Sequence, residues 1–193
     1  MTFKTALASL AALAVLPASA LAQSFTGQDV DKMIVLMDEM QKLNDKYGED
    51  AVREVADMPD PTTDGLGAML GEDGSFNMMS RSFAAMEKAE RGPIRNDLMA
   101  AFDKADIDDP SEFGETGDDI MMAYMAIEMD MQGVSESDLA MLNDPQMAAM
   151  VPPAMREQMA GIQKMMRAVR DVPDEDVAAL KPHKKKLDAA MKR

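Results

Sequence analysis

The stretch DDIMMAYMAIEMDM, Asp118 to Met131, packs five methionines into fourteen residues, and the reading of those methionines governs how the rest of the chain is built. At 100° per residue Met121, Met122, Met125 and Met129 share one arc of a helix, while Ile120, Tyr124, Ile127 and Met131 share a second, roughly opposite arc. A helix apolar on two sides is either central and buried, or buried on one side with a soft methionine face left for a partner.

The same substitution of methionine for leucine runs through the chain. It carries 23 methionines, and from Gln23 onward only nine leucines. Without the methionines the large apolar set would be too small to support a core at a net charge of −15. With them a helical core is feasible, and methionine is expected to fill leucine's place in it, since its unbranched thioether suits helices and adapts to irregular gaps.

Working outward, the amphipathic pattern is clearest near residues 27 to 46. Val30, Met33, Ile34, Leu36, Met37, Met40, Leu43 and Tyr47 fall on one half of the wheel, and Thr26 with Asp29 resembles a capping box. A short helix is expected near 49 to 57, then a long Gly/Pro loop over 58 to 75 that is either functional or mobile, unless Met69 and Leu70 tuck it down. Ser75 is read as the cap of a helix carrying Met79, Phe83 and Met86. Pro93 opens the next, with Ile94, Leu98, Ala101, Phe102 and Ala105 at helical spacing.

Thr116 with Asp119 and Ser135 with Asp138 predict helices of about 117 to 132 and 136 to 142, and Asp144-Pro145 marks another start. Pro153 leads a helix to about residue 170 with the stripe Met155, Met159, Ile162, Met165, Met166 and Val169. Pro173 begins a short one, and Pro182 separates it from a lysine-rich last helix. No stretch alternates with period two. The expected fold is all-α: an irregular multi-helix single domain over 23–193, with about seven to ten helices, several of them short, and a methionine-rich core.

Residues 1–22 read as a Sec signal peptide. Lys4 precedes an apolar run from Ala6 to Leu16 too short to span a bilayer, and Ala20-Leu21-Ala22 supplies small residues for cleavage after Ala22. No later stretch reaches the ~20 apolar residues of a membrane helix, and the sequence has no cysteine. An exported protein follows, and a bacterial periplasm fits a chain that dispenses with disulfides.

Charge is uneven. Residues 23–150 carry 29 acids against 9 bases, whereas 151–193 carry 10 bases against 6 acids. The overall acidity argues against nucleic acid as a partner, and the asymmetry predicts that the C-terminal segment packs back onto the acidic part.

Chemical motifs are scarce. The acidic run 103–119 fits no EF-hand pattern and reads as a solvated connection. His183, the single histidine, sits in KPHKKK and reads as a solvated tail residue. No nucleophile elbow, phosphate loop, HExxH or dinucleotide fingerprint occurs, so neither catalysis nor a cofactor is expected.

Three functions remain. The leading one is a non-enzymatic binding protein whose adaptable methionine faces take other proteins. The second is a Cu(I) or Ag(I) carrier using Met121, Met122, Met125 and Met129, completed by Met33, Met37 and Met40 or by Met155 and Met159, because soft thioethers suit soft ions. The third is a structural envelope or stress component whose methionines only pack. It requires nearly all of them to be inaccessible.

Overall fold

A computed structural model describes residues 23–58, 69–71, 75–131 and 153–192, with side chains in the last segment described from Ala160. Eight helices occur among them: α1 Gly27–Tyr47, α2 Glu49–Val55, α3 Met78–Lys88, α4 Pro93–Lys104, α5 Pro110–Met131, α6 Pro153–Arg170, α7 Asp174–Leu180 and α8 Lys184–Met191. No strand is present among the described residues, only an isolated antiparallel bridge between Leu70 and Phe76. The fold is all-α, as the patterning requires. No described helix is long and apolar enough to cross a membrane. The helices expected from Ser135 and from Asp144-Pro145 lie outside the described residues.

α1 begins as its sequence dictates. The Thr26 amide donates to Asp29 Oδ2 at 2.8 Å, and the Asp29 amide donates back to Thr26 Oγ1 at 3.4 Å, a reciprocal capping box. Its end is set by Gly48, whose φ of 87° is a left-handed conformation that costs glycine nothing. The α1 stripe then enters a core containing Val30, Met33, Leu36 and Leu43, which also takes Leu98 and Phe102 from α4, Ile120 and Ile127 from α5, Leu180 from α7 and Leu187 from α8.

α5 departs from expectation. It starts at Pro110 rather than near 117, so Thr116 lies inside the helix and does not cap it. The cap is Asp109, whose Oδ1 accepts the Glu112 amide at 2.9 Å. Most of the acidic run 103–119 is therefore helix, with Asp118 buried, and not a solvated connection.

Ser75 does not cap α3 either. The N-cap position is Asn77, whose side chain makes no capping bond, and the work passes to a residue 38 to 39 positions on: Asp118 of α5 accepts the Met79 amide at 2.8 Å and the Ser80 amide at 3.0 Å. The other end of α3 is also satisfied from outside, because Arg95 of α4 donates to the carbonyls of Met86 and Glu87 at 3.2 and 2.9 Å. α3 accordingly packs chiefly on α5, while α4 packs on α1. Phe83 and Phe102 meet edge to face, with ring centroids 4.9 Å apart.

The C-terminal helices fold back: α6 and α7 lie on α5, and α8 lies on α1. Leu180 and Leu187 are fully buried, so leucine supplies much of this docking. Ion pairs set orientation, Lys184 with Glu128 and Lys186 with Asp31 at 3.1 Å, each at a partly exposed position where such pairs contribute little. His183 is not a solvated tail residue. Its side chain is 23% exposed, lies over Gly27 at the start of α1, and has Nδ1 3.8 Å from Asp31. Leu187→Ala is expected to cost about 3 kcal/mol by leaving a cavity between α8 and α1, read as an earlier midpoint in urea with an unchanged slope.

Candidate functional site: a methionine-lined groove

A cavity of about 380 Å³ opens between α1, α2, α3 and the end of α8. Eight of the seventeen described residues lining it are methionines: Met33, Met37, Met40, Met58, Met69, Met78, Met79 and Met191. Phe83 and Phe113 line it as well, and Gln41, Asn44, Glu49 and Arg53 add polar groups. Its volume lies in the range of small-ligand pockets.

Each wall has a local cause. The i, i+3, i+4, i+7 spacing of Met33, Leu36, Met37 and Met40 puts them along one edge of the α1 stripe, half inside the core and half outside it. Met69 is held by backbone hydrogen bonds beside it: the Gly71 amide donates to the Ser75 carbonyl at 2.7 Å and the Asn77 amide donates to the Met69 carbonyl at 3.2 Å. Leu70 is buried beside it, while most of the loop expected over 58–75 lies outside the described residues.

Met78 and Met79 are held by the joint of α3 with α5. A Cβ on Gly114 would lie 2.5 Å from Ser80 Cα, and one on Gly117 would lie 2.6 Å from Met79 Sδ, so the two glycines admit the start of α3 against the α5 backbone. Asp118 sits beside them, 4% exposed, and accepts the Ser80 hydroxyl at 2.7 Å in addition to the two amides. Burial pushes its carboxyl above the ordinary range, while the Ser80 hydroxyl and the two amides pull it back.

Away from the groove the titrating groups form surface clusters. Lys46 and then Tyr47 bind Asp97 and hold its carboxyl low, at 2.6 and 2.8 Å, and Lys104 with Lys42 does the same to Glu39. Burial, and then the neighbouring Asp176, pushes Asp119 up. Asp176 is itself 2% exposed and accepts the Ser24 amide at 2.8 Å. Among the described residues no group of three or more His, Cys, Asp or Glu side chains is arranged to hold a metal ion.

The four methionines singled out in the sequence are divided. Met121 packs against the main core, whereas Met122, Met125 and Met129 join Met69, Met165, Leu70 and Val169 in a second apolar cluster between α5 and α6. None of the four lines the groove. Of their candidate partners, Met33, Met37 and Met40 line the groove instead, and the side chains of Met155 and Met159 lie outside the described residues.

The partition of residue types is sharper than the placement of any one. All six described leucines are buried, yet only Met33, Met86, Met122 and Met165 are buried among seventeen methionines with described side chains. Leucine, isoleucine, valine and phenylalanine therefore build most of the described core, and methionine forms a half-buried shell around it. This corrects the expectation that methionine replaces leucine inside. No known protein family, curated protein or solved structure matches this chain.

Proposed function

We propose that this chain is an exported, non-enzymatic binding protein that holds apolar segments of other proteins in its methionine-lined groove. The observation that carries the reading is the partition just described: buried positions go to shape-specific residues and part-exposed ones to deformable thioethers. A surface meant only for water gains nothing from methionine. A surface meant for varied apolar guests gains three rotatable bonds and a polarisable sulfur at each position. The packing-only alternative needs nearly every methionine to be inaccessible, and thirteen of seventeen with described side chains are not buried. The signal-like residues 1–22 support export.

The test is binding of an environment-sensitive hydrophobic dye, together with suppression of aggregation of an unfolding client protein. Met37→Lys places a charge in the groove that a guest must desolvate, and is expected to weaken dye binding by about tenfold or more with little change in melting temperature. If the folded protein neither binds the dye nor protects the client, the proposal fails.

A second reading, transport of Cu(I) or Ag(I), is favoured by the second cluster, where Met69, Met122, Met125, Met129 and Met165 gather on neighbouring elements. It predicts stoichiometric Ag(I) uptake that Met122→Leu with Met125→Leu abolishes. A titration with no uptake removes it.

A further inference from the structure

We infer that the methionine shell is a sacrificial target for hypochlorous acid, consuming the oxidant while the core that holds the fold stays chemically untouched. Three observations carry this. The thioethers stand mostly outside the core: Met131 is 70% exposed, Met191 is 41% exposed, and eleven more are half-buried, whereas Met33 and Met86 are 1% and 0% exposed. The side chains that do fill the core are mainly leucine, isoleucine, valine, alanine and phenylalanine, which react slowly with such oxidants. And the whole sequence contains no cysteine and no tryptophan, so neither disulfide cross-linking nor indole breakdown competes.

The chemistry is self-contained. A methionine sulfur donates a lone pair to the chlorine of hypochlorous acid, the Cl–O bond breaks, and hydroxide leaves. Water then displaces chloride at sulfur with loss of two protons, one of which neutralises the hydroxide. In net, one thioether and one hypochlorous acid give one sulfoxide, one chloride and one proton. Sulfur loses two electrons and chlorine gains them.

Position decides whether the fold survives. A sulfoxide oxygen inside a dry core is an unpaired polar group and strongly destabilising, but at a half-exposed position it meets water at once. Leucine in the core and methionine in the shell is the arrangement that separates those two outcomes. The inference does not rest on guest binding, because it requires only accessible sulfur and a core that the oxidant does not reach.

The experiment adds hypochlorous acid to the full chain one equivalent at a time, followed by peptide mass spectrometry and a thermal melt. Among the methionines with described side chains, Met131 and Met191 should oxidise first and Met33 and Met86 last, and about ten sulfoxides should form before cooperative melting is lost. In a second arm a bystander protein shares the oxidant. The chain should spare it, and a Met37→Leu, Met40→Leu, Met78→Leu, Met125→Leu, Met131→Leu, Met191→Leu variant, which keeps volume and polarity, should spare it roughly half as well. Melting lost after the first two or three equivalents would overturn the inference. So would oxidation of Met33 and Met86 as fast as Met131, or undiminished protection by the variant. Failure of the dye assay with success here would sink the groove reading alone.

Discussion

Replacing Asp118 by alanine should destabilise the protein by about 3–5 kcal/mol, because two amides lose their acceptor in a site with little access to water and the Ser80 hydroxyl is left only the Asn77 carbonyl at 3.2 Å. The Met79 amide, the Ser80 amide and the Ser80 hydroxyl all point at this carboxylate, and Asn77, in the N-cap position, makes no side-chain bond to replace it. Domains of this size have total stabilities of roughly 5–15 kcal/mol, so the variant is expected to melt about 10 °C lower or more. Asp118→Asn keeps one acceptor oxygen but turns an amide toward the other donors, and should cost less, about 1–2 kcal/mol.

The two variants also differ in their response to pH. Burial raises the Asp118 carboxyl above its ordinary value of 3.8, so the folded chain holds this proton to higher pH than the unfolded chain does. That contribution to stability is complete below the unfolded value and is lost as pH rises through the folded one. Asparagine cannot titrate. The stability of the parent protein relative to Asp118→Asn should therefore fall as pH rises above the ordinary carboxylate value of 3.8, measured by denaturant midpoints in matched buffers; a flat difference would show that the hydrogen bonds fully offset desolvation, and a rising one that they outweigh it.

Gly114→Ala is expected to cost about 2–3 kcal/mol net. Removing a mid-helix glycine gains about 1 kcal/mol in helix propensity, but the new methyl would sit 2.5 Å from Ser80 Cα, and backbone on both sides has nowhere to yield. α3 must then move away from α5, taking Met78 and Met79 out of the groove wall. Gly117→Ala is the internal control, since its methyl meets the flexible Met79 Sδ instead, and the propensity gain should leave stability within about 1 kcal/mol of the parent. Equal effects of the two substitutions on melting temperature would disprove the proposed role of close backbone approach. A guest-binding assay should follow the same order, with Gly114→Ala the weaker binder.

The joint of α3 and α5 also shows where sequence reading stopped. Gly114 and Gly117 look locally like helix breakers, and the run around them is acidic, so the segment reads as a connection. Asp109-Pro110-Ser111-Glu112 was nevertheless a legible start signal: a capping carboxylate, proline in the first turn and glutamate three residues on. The two glycines are required by a neighbour 34 to 38 positions earlier in the chain, and no local pattern reports that.

Local order was determined by the sequence alone: the Thr26 capping box, the α1 stripe, the proline-led starts of α4 and α6, and the all-α class are short-range consequences of helical period and capping chemistry. Only the tertiary structure decided which apolar residues are inside. A helical wheel gives methionine and leucine the same face, and burial depends on how closely another helix approaches that face. That approach divided Met121 from Met122, Met125 and Met129, buried Leu187, and gave the edge of the α1 stripe to a groove.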